Sequence, residues 1–337
     1  MDEIIRLENV KKYYEVRKGL LGSQKLKALD DVSLMIGKKE TVAVVGESGC
    51  GKSTLGRVSM RLLEPTEGRI YFKGEDITRI PEGELRRRSF RRKMQIVFQD
   101  PYSSINPFMR VGDVLLEALD IHGFPRSEAR AKIRQTLEDV KLSPAEEFAE
   151  RYPHELSGGQ RQRVNIARAL ILDPEYIVAD EPVSMIDASS RAEILLLLKN
   201  IRDSREMGIL YITHDIATAR YISDRIAVMY LGEIVEAGPT MSVLRGAIHP
   251  YTALLLSSVP EPHPLGRKKR KYVFKGDPPS PLNPPSGCKF HTRCPIAEEK
   301  CKTVKPALVE YESGRFVACH RAEEIIDGSV RLTPEKS

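Results

Sequence analysis

The chain has 337 residues, enough for about two domains, and it is 41% hydrophobic and 30% charged, which is typical of a folded globular protein. Its 53 Lys and Arg exceed its 47 Asp and Glu by a formal charge of +6, too small an excess to indicate nucleic-acid binding by itself. No apolar run approaches the ~20 residues of a membrane helix. The N-terminal MDEIIRL is acidic where a signal peptide is basic, so we expect a cytosolic chain.

Short apolar runs alternate with stretches of helical periodicity over about the first 240 residues. Strands are predicted at 41–46, 94–99, 176–180 and 208–213, and a hairpin that turns near Gly232 at 225–238. Helices are predicted at 126–141, 157–172 and 188–206. This alternation predicts an α/β fold with a parallel sheet covered on both faces.

The composition changes after about residue 259, where a proline-rich run is followed by the basic run GRKKRK (266–271). We interpret the proline-rich run and the basic run as a linker, although a basic run can also contact anionic lipid. We therefore expect a first domain over residues 1–250 and a small, irregular, Cys-rich C-terminal domain over 251–337.

The run GESGCGKST matches the phosphate-binding pattern G-x-x-x-x-G-K-[ST], with a predicted strand before it and a helix-forming stretch after it. Glycines allow successive backbone N–H groups to turn toward phosphate oxygens, and the helix N-terminus adds positive potential. Lys52 is predicted to reach the β- and γ-phosphates, and the Ser53 hydroxyl to bind Mg²⁺. We assign no chemistry to the Cys50 thiol. The predicted ATP-binding residues of this run are Gly46, Glu47, Ser48, Gly49, Cys50, Gly51, Lys52, Ser53 and Thr54.

An acidic pair ends the apolar run YIVAD. Asp180 is predicted to hold Mg²⁺ through water, and Glu181 to act as the general base that polarises the attacking water. The alternative is an ordinary acidic pair at a strand end. The presence of a phosphate-binding loop in the same sequence favours the metal and general-base roles over this alternative.

The run LSGGQ at 156–160 resembles the signature sequence of ABC-type ATPases. The resemblance spans roughly residues 1–245 and implies the P-loop ABC cassette fold, with a mixed sheet core and a helical signature subdomain. It also implies that Ser157, Gly158, Gly159 and Gln160 bind the γ-phosphate of ATP held by a second ABC subunit, identical or paralogous, in a head-to-tail dimer.

The same resemblance assigns further site residues. Gln99 in VFQDP matches the Q-loop glutamine, which contacts Mg²⁺ or water, and His214 in YITHD matches the switch histidine at the γ-phosphate. Asp187 in SMID stands at the D-loop position, where Met185 and Ile186 depart from the commoner residues. Tyr14 in VKKYYEV is favoured over Tyr13 for stacking on adenine, with an ordinary strand residue as the alternative.

Two segments C-terminal to the cassette resemble those of a membrane importer. The segment HPYTALLLSSVP (249–260) resembles the one that follows the cassette in oligopeptide/dipeptide importer ATPases, and GCKFHTRCPIAEEKC (287–301) and VACH resemble the C-terminal extension of that family. This family implies two transmembrane permease subunits, an extracytoplasmic solute-binding protein, no nucleic acid, and a location on the cytoplasmic face of the cell membrane. Related importers carry nickel chelates or oligosaccharides. Two competing functions stay open, a soluble ABC ATPase that acts on nucleic acid or ribosomes and a non-catalytic regulatory subunit.

Four of the five cysteines, Cys288, Cys294, Cys301 and Cys319, cluster near the C-terminus. A cytosolic location disfavours disulfides, and the paired C-x2-C spacing of zinc sites is absent. A 4Fe–4S cluster also takes four Cys ligands, and the family extension is associated with such a cluster. The expected cofactors are therefore ATP, Mg²⁺ and a 4Fe–4S cluster, with Zn²⁺ as the alternative at the four cysteines.

Overall fold

A computed structural model describes residues 2–18, 22–258 and 277–332. The predicted proline-rich and basic linker lies outside these residues. The strands are β1 (Glu3–Lys18), β2 (Gly22–Gly37), β3 (Thr41–Val45), β4 (Glu67–Phe72), β5 (Glu75–Asp76), β6 (Met94–Val97), β7 (Tyr176–Asp180), β8 (Gly208–Thr213), β9 (Arg225–Tyr230), β10 (Glu233–Pro239), β11 (Val309–Glu312) and β12 (Arg315–Val317).

The helices follow the same chain order. They are α1 (Lys52–Ser59), α2 (Glu82–Arg87), α3 (Phe90–Lys93), α4 (Pro101–Ser104), α5 (Val111–Ile121), α6 (Arg126–Asp139), α7 (Ala145–Glu150), α8 (Gly158–Leu170), α9 (Ala188–Arg205), α10 (Ile216–Ile222), α11 (Thr240–Arg245), α12 (Pro250–Ser257), α13 (Glu299–Thr303) and α14 (Ala322–Ile326). The strands predicted at 41–46, 94–99, 176–180 and 208–213 and the three predicted helices are confirmed within a few residues.

The described residues fall into two compact units. The first unit comprises Met1–Arg6, Met35–Thr41 and Ile70–Ile212, and the second comprises Leu7–Leu34, Val42–Arg69 and Thr213–Ser337. Strands β2, β1, β4 and β5 lie side by side in that order in one sheet.

In the first unit, β6, β7 and β8 form a parallel array. Every residue of β7 and β8 is buried, as expected for apolar strands covered on both faces. Helices α5 to α8 pack against one another, which confirms the predicted helical subdomain. Because parallel strands end at the same edge, the residues that follow β6 and β7 lie at one edge of this array.

In the second unit, β3 pairs in parallel with β9, and β9 pairs antiparallel with β10 across the predicted hairpin. Gly232 occupies the turn with a φ of +82°, and a Cβ there would approach the Lys27 carbonyl oxygen to 2.8 Å. Only glycine combines this left-handed backbone with such a close approach. The sheet is therefore mixed, as the ABC cassette fold requires.

The C-terminal extension differs from the irregular domain that the sequence predicts. Strand β12 pairs antiparallel with β10, with Glu236 opposite Val317, and β11 pairs with β12. The free edge of β10 would expose unpaired backbone groups, and β12 satisfies them. Ile248, Val317 and Ala322 form a small core around this edge. The division into domains at 1–250 and 251–337 stays a prediction.

Candidate functional site

The phosphate-binding loop connects the buried strand β3 to helix α1 in the second unit. Gly49 and Gly51 take φ angles of +78° and +107°, and a Cβ on Gly51 would lie 2.2 Å from the Ala28 carbonyl oxygen. A side chain at Gly51 is therefore excluded both by conformation and by space. The loop has the backbone shape that lets N–H groups converge on an anion.

Lys52 is the buried cation of this loop. Its Nζ donates to the carbonyl oxygens of Gly46 at 2.8 Å and Glu47 at 3.0 Å. The ammonium group is thus held on the loop's own backbone, while Ser53 next to it is exposed. This arrangement fits a phosphate ligand, because a lysine and a hydroxyl stand beside the helix N-terminus.

The other predicted nucleotide contacts of the second unit are Tyr14 and His214. Tyr14 is half-buried on β1, with Lys12 Nζ 5.2 Å from its ring centroid. The hydroxyl of its neighbour Tyr13 donates to Asp30 Oδ1 at 2.7 Å. His214 is exposed directly after β8. The roles of Tyr14 and His214 in binding stay predictions.

In the first unit, the structure brings Gln99 and Glu181 together. Gln99 Nε2 donates to Glu181 Oε2 at 3.3 Å. Asp180 is buried at the end of β7, and Glu181 follows with a φ of +47°, its N–H bonded to the Ile212 carbonyl oxygen at 2.9 Å. This left-handed backbone is uncommon for a residue other than glycine and marks a constrained position.

The signature run begins helix α8. Ser157 is the N-cap: Gln160 N–H donates to Ser157 Oγ at 3.2 Å, and Ser157 N–H donates to Gln160 Oε1 at 3.0 Å. This reciprocal capping box leaves the Ser157 hydroxyl proton available to a ligand. Farther along α8, Asn165 Nδ2 donates to the Phe98 carbonyl oxygen at 3.0 Å, which ties the signature helix to the residue before Gln99.

The D-loop residue Asp187 is the N-cap of α9. Its Oδ1 accepts the Ser190 N–H at 2.9 Å, and hydrogen bonds from Ser189 and Ser190 hold the pKa of Asp187 below its usual value. Ser190 also contacts the signature, because a Cβ on Gly159 would lie 3.1 Å from Ser190 Oγ. The signature and the D-loop therefore form one packed corner, with Gly158 near Ile186.

The four clustered cysteines of the second unit line one cavity. Its other lining residues include His249, Phe290, His291 and His320. Burial raises the pKa of Cys288 to about 11 and that of Cys294 and Cys319 to about 12. Over the described residues, no group of three or more His, Cys, Asp or Glu is arranged to hold a metal ion.

Comparisons with known proteins extend over almost the whole chain. A family model described as "ABC transporter" matches residues 29–184, and one described as "Oligopeptide/dipeptide transporter, C-terminal region" matches residues 235–301. The chain is 47% identical over 95% of its length to the oligopeptide transport ATP-binding protein AppF of Bacillus subtilis, and covers 97% of that protein. The chain belongs to the ATP-binding proteins of ABC transporters. A putative peptide import ATP-binding protein of Brucella ovis is 46% identical over 94% of the chain and is covered to 98%.

Solved structures of this family confirm the cassette. The ABC cassette MJ0796, in a dimeric post-hydrolysis state bound to ADP and Pi, is 32% identical with a TM-score of 0.61, over 70% of this chain and 99% of that one. Cassette cbiO1 of Clostridium perfringens is 28% identical with a TM-score of 0.62, over 73% of this chain and 92% of its own. Within its described residues, this ABC ATPase also has no helix long and apolar enough to cross a membrane.

Three residues that contact the cassette from the C-terminal side were not predicted from the sequence. Tyr251 on α12 accepts the Glu47 N–H through its hydroxyl at 2.8 Å, Arg293 pairs with the Glu47 carboxylate, and Lys289 Nζ lies 3.2 Å from Asp30 Oδ2. Lys289 and Arg293 lie in GCKFHTRC and Tyr251 in HPYTALLLSSVP, but nothing in the sequence shows which cassette residues they contact.

Proposed function

We propose that this ABC ATPase energises the uptake of oligopeptides or dipeptides by an importer. The observation that carries the proposal is the match to peptide-importer ATP-binding proteins over 95% of the chain, including the C-terminal region that a generic cassette lacks. Related importers of oligosaccharides or nickel chelates share the architecture, so the solute class is the part that needs measurement.

The reaction converts ATP and water into ADP and phosphate. The phosphate-binding loop would hold the triphosphate with backbone N–H groups and Lys52. Ser53, Asp180 and Gln99 are the residues that would hold the Mg²⁺, which would neutralise charge on the phosphates. Glu181 takes the proton of the attacking water as general base. The contact between Gln99 and Glu181 supports this assignment, because an amide donor orients the carboxylate.

The remaining predicted residues bind ATP from other directions. His214 contacts the γ-phosphate and Tyr14 stacks on adenine. Ser157, Gly158 to Gln160 and Asp187 contact the ATP that a second ABC subunit holds in a head-to-tail dimer. The capping box of Ser157 supports this role, because it presents a helix N-terminus with a free hydroxyl proton.

The partners of the chain follow from the same proposal. Two transmembrane permease subunits carry the solute path, and an extracytoplasmic solute-binding protein delivers the solute. The ABC ATPase then sits on the cytoplasmic face of the membrane through the permeases. Phe108, which is 88% exposed after the Q-loop, is a candidate contact for a permease helix, whereas Val111 is fully buried and belongs to the core.

Transport in proteoliposomes tests the proposal. The ATPase is reconstituted with two candidate permease subunits, and uptake of labelled di- and oligopeptides is measured with Mg-ATP on the ATPase side. We expect uptake that stops in Glu181→Gln. Uptake of an oligosaccharide or a nickel chelate without any peptide would contradict the peptide assignment, and ATPase activity that never depends on the permeases would contradict the transport role.

We propose in addition that Cys288, Cys294, Cys301 and Cys319 bind a 4Fe–4S cluster. The support is that all four line one cavity. A tetrahedral Zn²⁺ needs four sulfurs about 2.3 Å from a single point, whereas each cysteine of a 4Fe–4S site binds a different iron. The cluster would cross-link the extension, which has few apolar residues for a core of its own.

Anaerobic purification followed by metal and sulfide analysis tests this second proposal. We expect about four iron and four sulfide per chain with a brown chromophore, all lost in Cys294→Ser. The matched control is Cys50→Ser, which removes a cysteine that does not line the cavity. This variant protein should retain its iron. One stoichiometric zinc in a colourless protein would contradict the cluster.

A further inference from the structure

The segment between the first two clustered cysteines, residues 288–294, is attached to the cassette at three points. Lys289 Nζ donates to Asp30 Oδ2 at 3.2 Å and to the Leu231 carbonyl oxygen at 2.8 Å. Phe290 is buried against Tyr230 and Tyr251, with ring centroids 5.3 and 5.4 Å apart. The third attachment reaches the phosphate-binding loop itself.

Arg293 makes that third contact through both ends of its guanidinium. Nη1 lies 3.0 Å from Glu47 Oε2, and Nη2 lies 3.2 Å from Glu47 Oε1. The Arg293 side chain is 8% exposed and that of Glu47 28% exposed. Such a two-point, largely buried pair is both directional and stronger than a surface ion pair.

Glu47 is fixed by two further contacts on its backbone. Its N–H donates to Tyr251 Oη at 2.8 Å, and its carbonyl oxygen accepts from Lys52 Nζ at 3.0 Å. Glu47 is therefore held by α12 and residues 288–294 from outside the loop, and by Lys52 from within the loop.

The negative charge of Glu47 is unfavourable for phosphate binding, and Arg293 neutralises it. A carboxylate one residue into a phosphate-binding loop repels a triphosphate, and the repulsion is strong in a partly buried site. A guanidinium at hydrogen-bond distance cancels this charge and holds the carboxylate in one direction.

We propose that Arg293 is a positioning residue for ATP binding: it neutralises and orients Glu47, so that the C-terminal extension sets the affinity of the phosphate-binding loop. The inference rests on the proposed function only in that the loop binds Mg-ATP. It gives the extension a part in the nucleotide cycle that does not depend on the nature of the transported solute.

Equilibrium binding of a fluorescent ATP analogue with Mg²⁺ to the full-length protein tests the proposal. Arg293→Ala should raise its Kd about tenfold, because an unpaired carboxylate is then left in the phosphate-binding loop. Arg293→Lys, which keeps the charge, should recover part of the loss. In steady-state hydrolysis the loss should appear in KM with kcat little changed, as expected for ground-state binding.

A double variant separates this role from a merely structural one. Adding Glu47→Gln to Arg293→Ala removes the unpaired charge and should return the Kd to within about threefold of wild type. The matched control is Arg321→Ala, which breaks ion pairs to Glu298 and Glu324 in the same extension and should leave the Kd unchanged.

Each outcome decides one question. If wild type fails to bind the analogue, the proposed ATP-binding function fails. If wild type binds and Arg293→Ala binds equally well, only the positioning role is overturned. It is also overturned if Glu47→Gln gives no recovery, or if Arg321→Ala weakens binding as much, because the effect would then come from a loosened extension.

Discussion

Gln99 and Glu181, 82 positions apart in the sequence, are joined by a hydrogen bond from Nε2 to Oε2 of 3.3 Å. The contact arises because β6 and β7 are parallel neighbours, with Val97 opposite Ala179, so both residues leave the sheet at the same edge. Glu181, the first residue after β7, has a left-handed backbone with a φ of +47°. A glutamine amide is thus placed to hold the carboxylate that we propose as the general base.

Replacing Glu181 with Gln should abolish hydrolysis while keeping ATP binding. The amide cannot accept the proton of water, and general-base loss costs roughly 10²–10⁴-fold in rate. ATP should then hold the two subunits together, so we expect an ATP-dependent dimer on size-exclusion chromatography beside a lost kcat.

The control for this variant is Glu175→Gln, which removes a carboxylate just before the same strand, where Glu175 pairs with Lys73 and Lys93. It should hydrolyse ATP at nearly the wild-type rate. Normal steady-state turnover in Glu181→Gln would show that another group is the base.

The sequence predicts the candidate site because its residues lie at the ends of predicted elements. The phosphate loop follows β3, Glu181 follows β7, and Ser157 begins α8, and each of these boundaries follows from local patterns of apolar and capping residues. Contacts between distant segments were not accessible in this way. The bond between Arg293 and Glu47 spans 246 positions, and no local pattern encodes such a pairing.

The extension shows the same limit. Strands β11 and β12 are four and three residues long, too short for an alternation pattern to stand out. They form because the edge of β10 offers hydrogen-bond partners, and that edge exists only in the folded chain.

The capping box of the signature helix predicts a stability effect. Ser157→Ala removes the acceptor of the Gln160 N–H and should lower the free energy of unfolding by about 1 kcal/mol, while Ser157→Thr keeps the cap and most of the stability. Urea unfolding followed by far-UV circular dichroism measures both. Equal losses in the two variants would mean that the hydroxyl does not cap α8.

The buried pair between Glu236 and Arg315 should fix the extension to the cassette edge. Arg315 Nη2 lies 2.8 Å from Glu236 Oε1, and the carboxylate also accepts the N–H groups of Ile248 at 3.1 Å and His249 at 2.9 Å. Arg315→Met leaves a fully buried carboxylate without its cation and should cost about 3–5 kcal/mol in unfolding free energy.

The double variant Glu236→Gln with Arg315→Met gives the matched comparison. The introduced amide is neutral yet keeps an acceptor oxygen for the two N–H groups, so part of the lost stability should return in urea unfolding. A double variant less stable than Arg315→Met alone would show that the single loss came from packing of the arginine stem instead of the uncompensated charge.

Asp30 supplies a pH-dependent part of the stability. Burial raises the pKa of this carboxyl, but the hydrogen bond from Tyr13 and the ammonium groups of Lys289 and Lys27 outweigh burial and hold the pKa below its usual value. A carboxyl with a lowered pKa in the folded state stabilises the fold fully above its unfolded pKa of about 3.9. The contribution is then lost as the pH falls from about 4 through the folded pKa.

The variant Asp30→Asn should therefore lose stability that the wild type has at neutral pH, by about 1–3 kcal/mol. The difference in unfolding free energy between the two proteins should stay constant from about pH 7 to pH 5 and shrink below about pH 4, where the wild-type carboxyl also becomes neutral in the unfolded chain. Asp31→Asn changes the exposed neighbour and should alter stability by less than about 0.5 kcal/mol at every pH. An Asp30→Asn difference that is as large at pH 3 as at pH 7 would contradict the lowered pKa, because with a lowered pKa the unfolded chain takes up a proton at Asp30 in this range while the folded protein does not.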